Sequence, residues 1–382
     1  MSTPPSSPRL PGEALVEHID LGLLVAGGQS GRSVGSLAET AMPPIGSLPL
    51  HSRAVMSARD HFPTLAVPVG DPAGIGPEVV TDALSRMEVR SVAKILAIGP
   101  GSLRPDSVPL VIDAEEAGKH PSAWLATEAP EEWNMGEVSA ACGSAALAAL
   151  RTGHELALSG VVDALVTGPV SKEAFHLAGE QVEGQTELLA RWCEVERCGM
   201  LAITGELRVL LLSRHLPLRD AIANITRAGV LDHLHLLHTT LRDLGIESPR
   251  LALPGLNPHA GEAGLLGQEE QELLQPAVAV AREHGLDVSG PISPDVVFRD
   301  AAAGKYDGVL ALYHDQAFLP IKILGETEGC TLAAGLPYLR MSPVHGTAFD
   351  IAGQGLASCE NLVATIRSAA ALCMDRVGVA LR

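Results

Sequence analysis

The stretch from Val309 to Gly353 reads VLALYHDQAFLPIKILGETEGCTLAAGLPYLRMSPVHGTAFDIAG, and its opening residues decide the fold. Val309-Leu310-Ala311-Leu312-Tyr313 is apolar on both faces, as a strand buried inside a parallel sheet must be. It runs directly into His314-Asp315-Gln316. In open α/β sheets ligands bind beyond the carboxyl ends of strands, so an imidazole and a carboxylate delivered there are candidates for chemistry. A capped, solvated turn is the plain alternative for a lone His-Asp pair. Downstream, Lys322 and Arg340 are cations inside apolar or glycine-bearing segments. An unpaired charge is costly to bury there, and an anionic ligand would satisfy it. The stretch closes with PVHGTAFDIAG, Pro343 to Gly353, a loop of small residues that allows backbone to approach a bound molecule closely.

The same grammar, an apolar strand followed by a polar loop, recurs outward from this stretch. Thr64 to Val69 precedes GDPAGIGPE, which opens a helix near Pro77, where proline suits the first helical position. The glycines of that loop do not have the GxGxxG spacing of a dinucleotide fingerprint. Val161 to Val166 precedes TGPVSK, and Arg250 to Pro254 precedes GLNPHAGE. Met200 to Thr204 and Val209 to Ser213 read as a hairpin that ends at Arg214-His215-Leu216-Pro217. Further strands are expected at Val92 to Ile98 and Leu110 to Ile112, and helices at Val138 to Ser159, Glu187 to Trp192, Thr226 to Leu244 and Gln268 to His284.

With 382 residues, 46% of them hydrophobic and 19% charged, the chain can bury one large core or two medium ones. Its apolar runs are interrupted well short of a membrane span, and no leader pattern is present. A net charge of −18 argues against nucleic acid, so an anionic substrate must meet a local cluster of cations. The six cysteines form no CxxC, which favours reduced thiols in the cytoplasm. Residues 1–62 differ from the rest. They are rich in Pro, Ser and Gly, and are expected to be a poorly ordered extension with room for one short helix at Glu13 to Leu24. Met56 stands just before the globular pattern and is an alternative start.

His215, His259 and His314 each follow an apolar strand directly. Three neutral imidazoles at the carboxyl edge of one sheet are what a divalent metal with open positions requires. His233, His235 and His238 have near-helical spacing, but the pattern around them favours an ordinary helix face.

Taken together, GDPAGIGPE, VTGPVSKEAF, GQTELLA, SRHLPL, GLNPHAGE, GPISPD, YHDQAFLPIK and GLPYLRMSPVHGTAFDIAG resemble the 4-hydroxythreonine-4-phosphate dehydrogenases of vitamin B6 biosynthesis, over about residues 64 to 380. The resemblance implies an α/β fold of two domains in three layers, akin to isocitrate and isopropylmalate dehydrogenases, with the active site in the interdomain cleft. One domain would be residues 63–190 plus 330–382, including the NAD loop, and the other residues 191–329, with the metal and a dimer interface. It implies a homodimer with shared sites, NAD as oxidant, and one divalent metal, zinc before cobalt, manganese or magnesium. The metal ligands would be His215, His259 and His314, and the substrate contacts Thr186, Lys322 and Arg340. The sequence departs from the family pattern at Gln185, where a histidine is expected, and at Thr331, where an asparagine is expected. Both positions bear on substrate, so the substrate is a small anionic hydroxy acid whose identity is open. Four-carbon phosphorylated sugar acids and a terephthalate dihydrodiol are the alternatives.

The implied reaction is hydride removal from a secondary alcohol followed by decarboxylation. Lys172, Asp295 and Asp315 are candidates for proton transfer or for orienting a ligand, with a structural ion pair the alternative for Lys172. The Pro343 to Gly353 loop resembles the adenosine-binding loop of isopropylmalate dehydrogenases, which assigns His345, Gly346 and Asp350 to the cofactor. The alternative for Asp350 is a cap on a helix running from Ile351. A metal-dependent binding module without activity is the competing function of another class.

Overall fold

The computed structural model describes residues 62–380 apart from 326–327, with side chains as far as 374. The expected extension up to residue 61, and the short helix within it, lie outside the described residues. The described residues belong to one compact unit. Its strands are β1 (Thr64–Pro68), β2 (Lys94–Pro100), β3 (Leu110–Val111), β4 (Ser122–Thr127), β5 (Ala164–Val166), β6 (Gly199–Thr204), β7 (Leu207–Leu211), β8 (Arg250–Pro254), β9 (Asp287–Ile292), β10 (Gly308–Ala311), β11 (Cys330–Ala334) and β12 (Leu339–Pro343).

All of them join one 12-stranded sheet in the order β3-β4-β2-β1-β5-β12-β11-β6-β7-β10-β8-β9. Pairing is parallel from β3 to β12 and again from β7 to β9, while β11 and β6 run antiparallel to both their neighbours. The segments 63–190 plus 330–382 supply the first seven strands in this order, and residues 191–329 supply the other five. The two sets meet where β11 pairs with β6.

Strand periodicity shows what covers each face. Leu65 and Val67 of β1, Leu201 and Ile203 of β6, Leu210 of β7, Leu310 of β10, Cys330 and Leu332 of β11 and Leu339 and Met341 of β12 share one core that runs across both sets of strands. The opposite face carries two separate cores. Ala66, Leu96 and Leu165 pack with Ala146, Ala149 and Leu150 of the helix Ala140–Leu158, whereas Val209, Ala252, Val309 and Ala311 pack with Val297 and Phe298. Arg340, Ser342 and Thr331 alternate with residues of the shared core, so they face the side on which the apolar packing is interrupted. That gap positions the site.

The helices begin where their capping chemistry lies. Ser139 accepts from Cys142 N at 3.1 Å and starts Ala140–Leu158, and Thr226 accepts from Gly229 N at 3.0 Å and starts Arg227–Asp243. Strand Arg250–Pro254 and the β6–β7 hairpin stand as expected. The expected helix Gln268 to His284 instead comprises a π-helical stretch, Glu270–Leu274, followed by Gln275–Glu283. No helix runs on from Ile351, where residues 350–355 form turns and the last helix starts at Glu360, so Asp350 is not a helix cap. Its backbone carbonyl accepts from Gln354 Nε2 at 2.8 Å.

Candidate active site

The three histidines stand at the carboxyl ends of three adjacent parallel strands, β7, β10 and β8. Side chains tie these ends together. Ser213 Oγ donates to Leu312 O at 2.9 Å, Leu312 N donates to Gln316 Oε1 at 2.8 Å, and Gln316 Nε2 donates to Gly255 O at 2.9 Å. The buried Gln316 thus spans from the strand before His314 to the strand before His259. The rings of His215 and His314 lie 5.6 Å apart. Loss of water contact, reinforced by the positive charge of Lys172, lowers the His215 pKa and favours the neutral, ligating form. His314 Nδ1 is 2.7 Å from Asp315 Oδ1 and its ring stacks on Phe318, which leaves Nε2 for a ligand.

His259 lies on a turn of unusual conformation. His259, Ala260, Gly261, Glu262 and Ala263 all have positive φ, between 44° and 78°. For L-residues this costs roughly 1–2 kcal/mol each, and such strain concentrates at functional sites. Among the described residues no group of three or more His, Cys, Asp or Glu stands in metal-ligating geometry. Two imidazoles converge, and the third occupies the adjacent strand end without closing the set.

Beside His215 a cavity of about 230 Å³ opens over the interrupted face of the sheet, its walls including Thr167, Lys172, Gln185, Thr186, Arg340, Ser342, His345 and Gly346. Arg340 is only 4% exposed. Its Nη2 donates to Thr167 Oγ1 at 2.6 Å and its Nη1 to Thr186 Oγ1 at 3.2 Å, while its Nε has no partner among the described residues. Burial lowers its pKa to about 10, so it remains a cation at neutral pH. Glu187, the acid nearest in sequence to Thr186, pairs instead with Arg214. Gln185 Nε2 donates to Gly168 O at 2.9 Å, which fixes the orientation of the amide.

A family model described as "Pyridoxal phosphate biosynthetic protein PdxA" matches residues 82–369. The chain belongs to the PdxA family. A D-threonate 4-phosphate dehydrogenase of Salmonella typhimurium is 39% identical over 319 residues, covering 80% of this chain and 98% of the relative. The crystal structure of a 4-hydroxythreonine-4-phosphate dehydrogenase from Klebsiella pneumoniae superposes with a TM-score of 0.74 at 34% identity, covering 81% of this chain and 99% of that one. A terephthalate 1,2-cis-dihydrodiol dehydrogenase from Burkholderia xenovorans gives a TM-score of 0.58 at 30% identity, covering 81% and 98%.

The other expected site residues of this PdxA-family chain fall into two groups. Lys172, His345 and Gly346 line the cavity. His345 Nδ1 lies 3.1 Å from Gly346 O. The remaining residues stand outside the cavity. Thr331 is buried on β11 with Oγ1 at 2.9 Å from Ser342 Oγ, so it reaches the cavity only through Ser342. Lys322 is exposed, not buried as its apolar setting implied, because its helix His314–Gly325 turns Ile321 inward and Lys322 outward. Asp315 reaches only the Nδ1 side of His314, at 2.7 Å. Asp295 accepts from Ser293 Oγ at 2.5 Å, and that bond lowers its pKa.

Asp350 is exposed on a loop that is fastened elsewhere. Ile75 N donates to Thr347 O at 2.9 Å, and Gly353 N donates to Glu78 Oε1. The GDPAGIGPE segment, unassigned from sequence, therefore serves as the bed of this loop. Sequence reading also missed Gln316 and Ser213, whose role depends on which strands are neighbours. Thr167 was visible in TGPVSK, but its partner Arg340 is 173 residues away.

Proposed function

We propose that the protein is a metal-assisted, NAD-dependent dehydrogenase that oxidises the secondary alcohol of a small phosphorylated hydroxy acid of the D-threonate 4-phosphate and 4-hydroxythreonine 4-phosphate class, with decarboxylation of the resulting β-keto acid. The carrying observation is Arg340, a buried guanidinium without a carboxylate partner among the described residues, set in the wall of a cavity of about 230 Å³. An anionic substrate group supplies the missing counter-charge. Thr167 and Thr186 fix the plane of the guanidinium, and Lys172 presents a second cation to the same space. NAD, when bound, would accept the hydride of the carbinol carbon; the hydroxyl proton would pass to water, and Lys172, as a cation, would give a proton to the carbon that loses carbon dioxide.

His215, His259 and His314 are the residues to hold a divalent ion. The neutral state of His215, the free Nε2 of His314 and the three adjacent strand ends support that role. When bound, the ion supplies Lewis acidity toward the alcohol oxygen and the charge left by decarboxylation. Zinc suits imidazole, while cobalt, manganese and magnesium compete for a partly open site. Closing the trio requires the turn at His259 to bring its ring to the other two.

The same reading makes the protein a homodimer with shared sites. Leu319, Ile323 and Leu324, at 61%, 75% and 56% exposure, form an apolar surface on the helix that carries Lys322. Lys322 lies outside its own cavity, so it serves a partner's. A cytoplasmic location is consistent with six free cysteines, and no described helix is long and apolar enough to cross a membrane.

The test mixes purified protein with zinc, NAD and D-threonate 4-phosphate, 4-phosphooxy-threonine or terephthalate dihydrodiol, and follows NADH absorbance. A phosphorylated four-carbon acid should be turned over best, and Arg340→Met should lower its kcat/KM roughly ten- to a hundred-fold, the loss of a charge-assisted contact. Preference for the dihydrodiol would overturn the substrate assignment. No turnover of any of the three, with ligand binding retained, would favour a binding module.

A further inference from the structure

Glu270 is 1% exposed, among the most buried ionisable side chains described, and all of its bonds go to one loop. Its Oε1 accepts from Leu256 N at 2.8 Å and from Asn257 N at 2.7 Å, and its Oε2 accepts from Asn257 Nδ2 at 3.0 Å. The same Nδ2 donates to Glu269 Oε2 at 2.8 Å. The loop has been cleared to admit this carboxylate. A Cβ at Gly261 would stand 2.6 Å from Glu270 Oε2, and one at Gly255 would stand 3.1 Å from Oε1. Gly261 therefore makes room for Glu270, whereas Gly255 makes room first for Ala260, whose Cα would stand 2.7 Å from its Cβ. Glu270 opens the π-helical stretch Glu270–Leu274, a local widening that recurs at functional sites.

Two residues after Asn257 begins the left-handed run His259 to Ala263, which passes through Gly261. Left-handed L-residues relax unless their surroundings hold them. At its edges the turn is tied by Ala260 N donating to Asn257 O and Leu266 N to Gly261 O, each at 3.1 Å, and by Leu265 N donating to Glu262 O at 3.3 Å. We propose that Glu270 is the positioning residue for His259, clamping the strand end that leads into the left-handed turn so that the imidazole is presented at the strand edge. The assignment rests on the reading of His259 as a metal ligand. It adds a residue that touches neither substrate nor ion and acts only through the turn.

The experiment compares Glu270→Gln and Glu270→Ala with the wild-type protein and with His259→Ala. Amide hydrogen exchange is measured on metal-free protein. Glu270→Ala should speed exchange across residues 255–266 by about ten-fold or more and leave the β1–β5 strands unchanged. Glu270→Gln should fall between, because its remaining oxygen still accepts from both backbone N–H groups, and it carries the test if the alanine variant does not fold. Unchanged exchange over 255–266 overturns the proposal.

Cobalt(II) titration then gives a readout that a merely structural role would not move. Glu270→Ala should weaken cobalt binding roughly ten-fold or more and alter the visible spectrum as His259→Ala does, with KM for NAD unaffected. If His259→Ala abolishes the spectrum while Glu270→Ala retains it, the positioning role is wrong. If His259→Ala itself leaves cobalt binding intact, the metal reading fails, and the exchange measurement alone decides whether Glu270 holds the turn.

Discussion

Arg340 and Gln185 approach the same cavity with opposite consequences. The guanidinium binds by charge and would accept any small anion, whereas the amide at 185 is neutral, fixed by Gly168 O, and sets finer preference. A histidine there could carry charge. Gln185→His is therefore expected to raise kcat/KM for 4-phosphooxy-threonine relative to D-threonate 4-phosphate by roughly ten- to a hundred-fold, the worth of one charge-assisted hydrogen bond. Thr331→Asn should shift the ratio less, because Thr331 acts through Ser342. Parallel kinetics on the two substrates check both, and an unchanged ratio in Gln185→His removes Gln185 from the specificity set. A second residue-scale expectation concerns pH. His154 is buried with Nδ1 at 2.8 Å from Tyr338 OH, and burial lowers its pKa below 6.5. The unfolded chain then binds more protons than the folded one as pH falls through 6.5, so stability decreases toward acid and is flat above about pH 7. His233, His235 and His238 shift in the same direction, again through burial. Urea midpoints should fall between pH 7 and pH 5.5, and His154→Gln should fall less steeply. Equal slopes would show that His154 carries no part of the effect.

At the scale of elements, legibility followed local chemistry. The helices capped by Ser139 and Thr226, the strand Arg250–Pro254 and the hairpin were readable because cap, alternation and turn lie within a few residues of each other. β4 and β9 were not, since short apolar runs carry no periodicity of their own. β11 and β12 were masked by Gly335-Leu336-Pro337 and by the cation at 340, which is tolerable in a strand only because a ligand cavity lies beside it. The metal candidates were legible as strand-end histidines, but the adjacency of their three strands was not. The loop after β12 illustrates the same limit. Its small residues were visible, but its attachment to Ile75 and Glu78 depends on contacts far away in sequence. In the proposed function that attachment would give Asp350 a fixed base from which to face a ribose. A carboxylate there would accept from the two ribose hydroxyls of NAD and repel a 2′-phosphate, and no Arg or Lys lies between Met341 and Cys359. NAD should be preferred over NADP by about ten-fold or more, and Asp350→Ala should narrow the gap mainly by weakening NAD. Equal efficiency with both cofactors in the unmodified protein would remove Asp350 from the cofactor site.

Across the whole molecule, one face of the sheet carries a single core through all the central strands, while the other carries two cores with Arg340 between them. A continuous core on one side holds the two sets of strands together, and the break on the other leaves room for the cavity beside Arg340. This arrangement accounts for every expected residue that lines the cavity but leaves Lys322 outside it, on an exposed helix with Leu319, Ile323 and Leu324. If Lys322 serves the cavity of a second copy, defects at Lys322 and at Arg340 belong to different sites of one dimer. A dimer of one Lys322→Ala and one Arg340→Ala subunit then has one site with both lesions and one with neither. Each variant alone should be nearly inactive. Mixed at equal concentration and allowed to exchange subunits, they should recover about a quarter of wild-type activity, half of the dimers being mixed and each having one intact site. Ile323→Asp, which places a charge in the apolar surface, should abolish the recovery and shift the protein to monomers in sedimentation. Recovery requires both association and function across the interface. A mixture that forms dimers but stays inactive would place Lys322 outside the partner's cavity.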